Sequence, residues 1–381
     1  MDFDLSEDQE LFRETTVKFL EDTCPLTTVR EWAESEAAGF PRSWWKQGCE
    51  LGWTSMLISE TDGGGSVSGQ GLVDLSLVAE EMGRMVSPGP FVTTSVVADV
   101  LSRVGTSTQK DAYLPGILDG EIIGSWCVAE PNGSWLPEDT TLEAVKKGDV
   151  FHLTGTKGPV EAADVAGVFV VTARVDGEPT HFILGADTPG VSVTKADGLD
   201  LVRRFGMVEF NDVVLSRDNV LGDVGAATEQ WERGVEVANV LQAASMAGAM
   251  DKVLSMTIEY AFDRYSFGRP LASYQALKHR FADMKMWLEA VMATSLAAAE
   301  AAETRPDRSK ELVSVAKAYV GERVPWMMQD CVQLHGGIGV TWDHDLHLYL
   351  RRAVQDRSLY GSPAQQRERI ASGLDLEESN A

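Results

Sequence analysis

The sequence predicts an α+β protein in which helices come first, short strands follow and long helices return. From residue 1 to about 120 the apolar residues recur at helical spacing, and Ser6 stands where a helix would begin. From 121 to 225, short β-prone runs such as AGVFVVTARV are separated by Gly, Pro and Asp, which is typical of a small antiparallel sheet. From 226 onward helical spacing continues for roughly 30 residues at a time, which indicates long packed helices.

These zones predict four segments. The chain divides into an N-terminal helical domain (1–120), a middle β domain (121–225), a C-terminal four-helix bundle (226–374) and an acidic tail (375–381). The middle segment lacks strand–helix–strand alternation, so a Rossmann unit is not expected. In the bundle, a helix is expected from about Ser309 to Leu334, with a kink at Pro325 because proline removes one backbone donor.

Charge and composition exclude several classes of protein. The chain has 33 Lys+Arg against 58 Asp+Glu, a net charge of −25, and so acidic a surface disfavours nucleic acid as a partner. No uncharged apolar run reaches the roughly 18 residues of a membrane span. The acidic N-terminus does not resemble a secretion signal. We therefore expect a cytoplasmic protein with reduced thiols, because its four cysteines are far apart: Cys24, Cys49, Cys127 and Cys331.

One motif combines two arginines, a hydroxyl and an aromatic ring at the end of a long helix. It reads RYSFGRP, from Arg264 to Pro270. The planar donor fork of arginine suits phosphate oxygens, and Gly268 allows close approach of the backbone. The alternative interpretation is a helix C-terminus whose cations complement the helix dipole.

A second motif, QLHGGIG, ends another helix at a glycine turn that begins at Gly336. Glycine at this place is the usual helix C-cap, and a dinucleotide-binding loop is not indicated because no strand precedes it. His344 and His347 follow three residues apart, but a metal site needs further oriented ligands. We expect no metal and a polar helix start here.

Six segments together resemble the acyl-CoA dehydrogenase family, and they cover the chain in order. They are MDFDLSEDQELFRETTVKFL, SWCVAEPNGSW, LTGTKGPVEAADVAGVFVVTAR, VEFNDVVLSRDNVLG, YAFDRYSFGRPLASYQALKHRFADM and QLHGGIGVTWDHDLHLYLRRA. The resemblance implies that family's helical, β and helical domains, an acyl-CoA substrate, and FAD at a subunit interface. It also implies that one set of residues reaches a neighbouring subunit's FAD. Arg264, Ser266 and Phe267 would meet the pyrophosphate, and Gln333, Gly336 and Gly337 the adenosine.

The sequence departs from the family where catalysis occurs. The usual glutamate base near the C-terminus is replaced by Gly361, and the alternative base position on the long helix is Ala238. No catalytic residue is therefore assigned. The flavin-ring segments are also altered, to Ala129-Glu130-Pro131 and to Gly158-Pro159-Val160-Glu161.

These departures favour a base-lacking subunit of a heteromeric (α2β2) acyl-CoA dehydrogenase that completes the FAD site of a homologous catalytic partner, in sterol or fatty-acid degradation. One alternative is a self-sufficient homomeric flavoenzyme with an unrecognised base, Glu236 or Glu161, or with oxygenase chemistry. Another is a non-catalytic scaffold subunit. Glu236 lies about 200° around the helix from Ala238, so it faces away from the expected position.

Overall fold

The computed structural model describes residues 5–35 and 39–373, and within them helices precede and follow a central group of strands. The helices are α1 (Glu7–Thr23), α2 (Leu26–Glu34), α3 (Arg42–Glu50), α4 (Gly71–Arg84), α5 (Phe91–Val104), α6 (Ser107–Leu118), α7 (Ala227–Asp263), α8 (Gln275–Thr304), α9 (Pro306–His335), α10 (Leu346–Asp356) and α11 (Pro363–Ser372). The strands are β1 (Gly124–Cys127), β2 (Glu143–Lys147), β3 (Val150–Glu161), β4 (Val168–Val175), β5 (Glu178–Gly185), β6 (Val191–Ala196), β7 (Phe205–Ser216), β8 (Val220–Leu221), β9 (Tyr265–Ser266) and β10 (Arg269–Pro270). This order confirms the predicted α+β class. The predicted acidic tail, 375–381, lies outside the described residues.

Local chemistry places the ends of the helices. The Ser6 hydroxyl accepts a hydrogen bond from the backbone N–H of Gln9 at 3.2 Å, and the Gln9 side chain accepts one from the Ser6 N–H at 3.1 Å. This capping box satisfies two backbone donors at the start of α1. α9 begins three residues before the expected Ser309 and runs through Pro325 to His335.

The main sheet has eight strands, and β3, β2 and β4 lie at its centre. β3 pairs antiparallel with β2 and β7, and β4 pairs antiparallel with β5. However, β1 runs parallel to β4 from Gly124 opposite Val168 to Cys127 opposite Val171, and β2 makes one parallel pair with β4. The sheet is therefore mixed, whereas the sequence predicted antiparallel pairs only. The β2–β3 hairpin separates β1 from β4 along the chain, and strand composition does not reveal such a pairing.

A buried ion pair lies within this sheet region. Lys157 on β3 donates to Glu130, and both side chains are almost completely buried. Thr141 donates to the second carboxylate oxygen of Glu130, and the Lys157 ammonium lies 3.5 Å from the Val128 carbonyl oxygen. Burial lowers the pKa of Lys157, while the Glu130 carboxylate opposes that shift. The pair is tolerated because its remaining polar atoms are also hydrogen-bonded.

His181 on β5 is also completely buried. Its Nδ1 is 3.1 Å from the Thr172 hydroxyl. Burial, and secondarily the charge of Lys157, lowers the pKa of His181 from 6.5 to about 3. The imidazole is therefore neutral in the folded protein throughout the physiological pH range.

We expect His181 to make the folded protein sensitive to acid. Between pH 6.5 and about pH 3, His181 is protonated in the unfolded chain but stays neutral in the folded chain, because its pKa is 6.5 in the first and about 3 in the second. The free energy of unfolding should therefore fall by about 1.4 kcal/mol per pH unit on this account, or roughly 2 kcal/mol between pH 6.5 and 5. Urea unfolding at several pH values should show a flatter pH dependence for His181→Gln. The exposed His279→Gln is the control, and equal slopes in all three proteins would contradict the prediction.

The contacts group the described residues into two compact units. The helical unit contains residues 5–30, 72–87 and 239–373, and the sheet unit contains 31–35, 39–71 and 88–238. The division into four segments read from the sequence stays a prediction. Helix α7 has 37 residues, begins in the sheet unit and ends in the helical unit.

Within the helical unit, α4 and α7 cross with their backbones in contact. A Cβ atom at Gly83 would lie 1.9 Å from the Ser245 carbonyl oxygen, and one at Gly248 would lie 1.9 Å from the Glu80 carbonyl oxygen. Arg84 pairs across the same crossing with Asp251. Only glycine permits so close an approach at either position.

None of the described helices is both long and apolar enough to cross a bilayer. The four cysteines are unpaired and buried.

Candidate functional site

The RYSFGRP motif forms a two-stranded hairpin directly after α7. Arg269 on β10 lies opposite Ser266 on β9, and Phe267 and Gly268 form the turn. Their φ angles are +49° and +80°, as in the type I′ turns that favour glycine and asparagine. Gly268 adopts this conformation freely, whereas it is strained for a phenylalanine.

The strained residue is also the most exposed large apolar side chain among the described residues. The Phe267 ring is 96% exposed, so packing within its own chain does not offset the strain. Strained backbone of this kind is concentrated at ligand clamps and other functional sites. The hairpin tip is therefore a candidate contact for a ligand or a second subunit.

Only one of the two arginines of the motif is available to bind a ligand. The Arg269 guanidinium lies 3.8 Å from the centroid of the Tyr274 ring, and the Tyr274 hydroxyl donates to the Ser266 carbonyl at 2.7 Å. Arg269 thus stabilises the hairpin. Arg264 is exposed, and its guanidinium makes no hydrogen bond or ion pair to any described residue. Its donor fork could hold a phosphate group.

The second motif forms the end of α9 and the short 3₁₀ turn Gly336–Val340. Gly336 has φ +65°, and a Cβ atom at Gly336 or Gly337 would meet nothing within 4 Å. Gln333, one turn earlier, is exposed. The turn therefore presents open backbone and a side-chain amide, which could hydrogen-bond the polar edges of an adenosine.

Tyr260 joins the two motifs. Its ring stacks on His335 with a centroid distance of 4.4 Å, and its hydroxyl donates to the His335 carbonyl at 3.1 Å. Its own carbonyl accepts a hydrogen bond from the Arg264 N–H at 2.8 Å. The hairpin and the glycine turn therefore lie side by side in the helical unit. The sequence analysis did not assign a role to Tyr260, because the role depends on a contact across 75 residues.

The two histidines after the glycine turn pack against other aromatic side chains. His344 meets the edge of His335 at 4.6 Å, and His347 stacks on Trp342 at 4.6 Å. Burial lowers the pKa of both His344 and His347. Among the described residues no cluster of histidine, cysteine and carboxylate side chains could hold a metal. Helix α10 begins here with Leu346.

At Gly361 the backbone itself requires glycine. Its φ is +108°, and a Cβ atom there would lie 2.4 Å from the Gln366 Nε2. The preceding Tyr360 also has a positive φ, +55°, and its carbonyl accepts hydrogen bonds from Asn239 at 3.3 Å and Gln366 at 3.1 Å. Two buried amides thus fix the turn. Because glycine has no side chain, position 361 supplies no side-chain proton acceptor.

The alternative base position is equally apolar. Ala238 is completely buried. The neighbouring carboxylate of Glu236 accepts a hydrogen bond from Arg233 at 2.8 Å, and Arg233 also lies 3.3 Å from Asp99. Glu236 is thus engaged in a local ion-pair network, which does not favour it as a base.

The two segments altered at the flavin-ring positions lie in the sheet unit. Ala129 is completely buried and offers no hydroxyl, and its neighbour Glu130 is held by Lys157. Glu161, the last residue of β3, is buried beside Arg203 at 3.6 Å. The sequence did not single out Lys157 or Arg203, because their partners are distant along the chain.

FAD therefore fits the two units unequally. In the helical unit, the free guanidinium of Arg264 and the open backbone at Gly268, Gly336 and Gly337 suit its phosphates and adenosine. In the sheet unit, a methyl group and a paired carboxylate stand at the ring positions, and neither donates a hydrogen bond.

Comparisons with known proteins show which family has this order of helices, a central mixed sheet and long helices. The family model "Acyl-CoA dehydrogenase, N-terminal domain" matches residues 6–121, and "Acyl-CoA dehydrogenase, C-terminal domain" matches residues 230–374. The chain belongs to the acyl-CoA dehydrogenase family, whose cofactor is FAD.

Individual relatives span nearly the whole chain. The acyl-CoA dehydrogenase IpdE2 of Mycolicibacterium smegmatis is 29% identical over 368 residues, which cover 96% of this chain and 98% of that protein. The structure of butyryl-CoA dehydrogenase from Megasphaera elsdenii has a TM-score of 0.89 at 24% identity and covers 98% and 99% of the two chains. A variant of the steroid acyl-CoA dehydrogenase Tcur3481–Tcur3483 has a TM-score of 0.85 at 28% identity and covers 96% and 97%.

Proposed function

We propose that this chain is a subunit of a heteromeric acyl-CoA dehydrogenase, lacks its own catalytic base and completes the FAD site of a homologous partner subunit. One observation carries the proposal: the residues suited to a neighbour's FAD are exposed, whereas both base positions are occupied by residues without an acceptor. Phe267 is 96% exposed, while Gly361 and Ala238 are buried.

The chemistry of the reaction indicates what each of the two subunits would contribute. Desaturation of an acyl-CoA requires a base within hydrogen-bond reach of the α carbon, and a bound flavin would supply the hydride acceptor. In this proposal the partner provides the base and the ring pocket. This chain provides the Arg264 donor fork and the glycine backbone of the 336–337 turn, which orient the cofactor.

The substrate class is an acyl-CoA thioester, and a steroid side chain is the particular candidate. Its support is the resemblance to the two-component steroid acyl-CoA dehydrogenase, at 28% identity. The four unpaired cysteines are consistent with a reducing compartment such as the cytoplasm.

The deciding experiment measures FAD content and mass of the purified chain, alone and co-expressed with a homologous acyl-CoA dehydrogenase that carries the base. We expect a colourless chain alone and one FAD per heterodimer in the complex. A homomer with one FAD per chain and acyl-CoA-dependent dye reduction would overturn the proposal and favour the self-sufficient enzyme. Complex formation without FAD would favour the scaffold.

We expect Arg264→Ala to weaken FAD binding by the complex about 10- to 100-fold, because a hydrogen bond to a charged group contributes about 1.5–3 kcal/mol. FAD fluorescence during dilution measures the loss. Arg308→Ala is the control, because Arg308 is an exposed arginine that pairs only locally with Glu311. Unchanged FAD retention in the Arg264 variant would contradict the assigned role.

A further inference from the structure

Three charged side chains form a buried cluster next to the end of β3. We call Glu161, Asp200 and Arg203 the ring-exclusion cluster. The three residues are only 4%, 3% and 8% exposed, in that order. The Arg203 guanidinium lies 3.6 Å from Glu161 and 3.1 Å from Asp200.

Backbone hydrogen bonds fix the cluster from the Asp200 side. The Asp200 Oδ1 accepts the backbone N–H of Val202 at 2.9 Å and that of Arg203 at 3.3 Å. The loop before β7 is thereby shaped so that Arg203 turns towards β3. Two carboxylates thus flank one guanidinium in a buried place, where charge is weakly screened.

This environment is chemically unsuited to an isoalloxazine ring. The polar edge of the ring carries acceptor atoms that need hydrogen-bond donors, and an ionised carboxylate only accepts. Reduction also adds negative charge to the ring, which the Glu161 carboxylate would repel. Threonine at this place would donate a hydrogen bond, but glutamate cannot.

The cavity beside the cluster is also small. The cavity lined by Glu161, Arg203 and their neighbours has a volume of about 10 Å³. A cavity of that size is at the lower limit for a single water molecule. Opening it would require separating the buried ion pair of Glu161 and Arg203, which is strongly unfavourable.

We propose that the ring-exclusion cluster keeps the isoalloxazine ring out of the sheet unit of this chain and thereby directs flavin to the partner subunit. The inference rests on the proposed function, because it explains why only one of the two potential flavin sites of a heterodimer would be filled. The flavin ring would then be excluded by the charged side chains of the cluster as well as by the lack of hydrogen-bond donors to the ring.

Riboflavin tests the cluster, because it carries the ring without the pyrophosphate and adenosine. Titration of the purified chain, followed by flavin fluorescence, compares the wild type with Glu161→Gln and with Glu161→Thr/Arg203→Ser. We expect binding to strengthen roughly threefold and at least about tenfold respectively. The control is Arg217→Ser/Asp223→Ser, which removes an exposed ion pair of 3.3 Å that does not line this cavity and should leave binding at the wild-type level.

Equal riboflavin binding by the wild type, the control and both cluster variants would overturn the inference. If the double variant does not fold, Glu161→Gln decides alone, because it preserves volume and leaves Arg203 paired with Asp200. This series is independent of the Arg264 experiment, since riboflavin lacks the phosphates. A flat riboflavin series overturns ring exclusion only, whereas unchanged FAD retention in Arg264→Ala counts against the proposed function.

Discussion

Gly361→Glu is expected to leave the isolated chain without acyl-CoA dehydrogenase activity and to lower its free energy of unfolding by roughly 2–5 kcal/mol. The substitution restores the family's residue but not its geometry. With φ at +108°, any side chain is strained, and its Cβ atom would meet the Gln366 Nε2 at 2.4 Å. The new carboxylate would also enter a place where two amides already satisfy the Tyr360 carbonyl.

The measurements are urea unfolding and acyl-CoA-dependent dye reduction. Gly373→Glu is the matched control, because Gly373 is exposed and a Cβ there would make only ordinary contact, at 3.5 Å from the Ile370 carbonyl oxygen. Gly361→Ala/Gln366→Ala compared with Gln366→Ala alone isolates the φ strain, because Gln366→Ala removes the clash together with the hydrogen bond to the Tyr360 carbonyl. Dye reduction by the Gly361→Glu chain without a partner would show that the base position had remained usable.

Lys157→Met should be the second large effect, with a loss of about 3–5 kcal/mol in the free energy of unfolding. The substitution leaves Glu130 ionised and buried, with Thr141 as its remaining side-chain donor. Lys157→Met/Glu130→Leu should recover most of the loss, because replacing both charges by apolar groups removes the unpaired carboxylate.

Thermal and urea unfolding of the two variants test this account. Lys285→Met is the control, because Lys285 and Glu289 form an ion pair with side chains 58% and 63% exposed and such pairs contribute at most about 1 kcal/mol. A double variant as unstable as Lys157→Met would show that the ammonium contributes through packing instead of charge.

Sequence reasoning succeeded where structure is local. The helix start at Ser6 follows from side-chain chemistry within one turn, and the order of helices and strands follows from hydrophobic periodicity. The end of α7 at the RYSFGRP motif could likewise be located, but the hairpin that follows was not predicted. What could be predicted of the candidate site were the residues of each motif, because each motif is contiguous.

Contacts between distant residues could not be predicted. Glu161 meets Arg203 and Lys157 meets Glu130 only after strands have paired in a particular register, and a shift of one residue would turn each side chain to the other face. The parallel pairing of β1 with β4 is of the same kind. The assignment of Gly361 to the usual base position is a prediction from the sequence, whereas the φ of Gly361 and the two amides around it could not be predicted.

The crossing of α4 and α7 at Gly83 and Gly248 determines where the hairpin after α7 lies. Neither helix can roll or slide there, since even a methyl group would collide with the opposing carbonyl at 1.9 Å. From Gly248 to Arg264 the chain continues along α7 for about 24 Å at 1.5 Å per residue. If α7 tilted by only 5° at the crossing, the guanidinium about 24 Å away would move by roughly 2 Å. That displacement is large enough to break a hydrogen bond to a phosphate oxygen. The position of the Arg264 guanidinium, for which we propose a phosphate contact, thus depends on how closely Gly83 and Gly248 let the two helices pack.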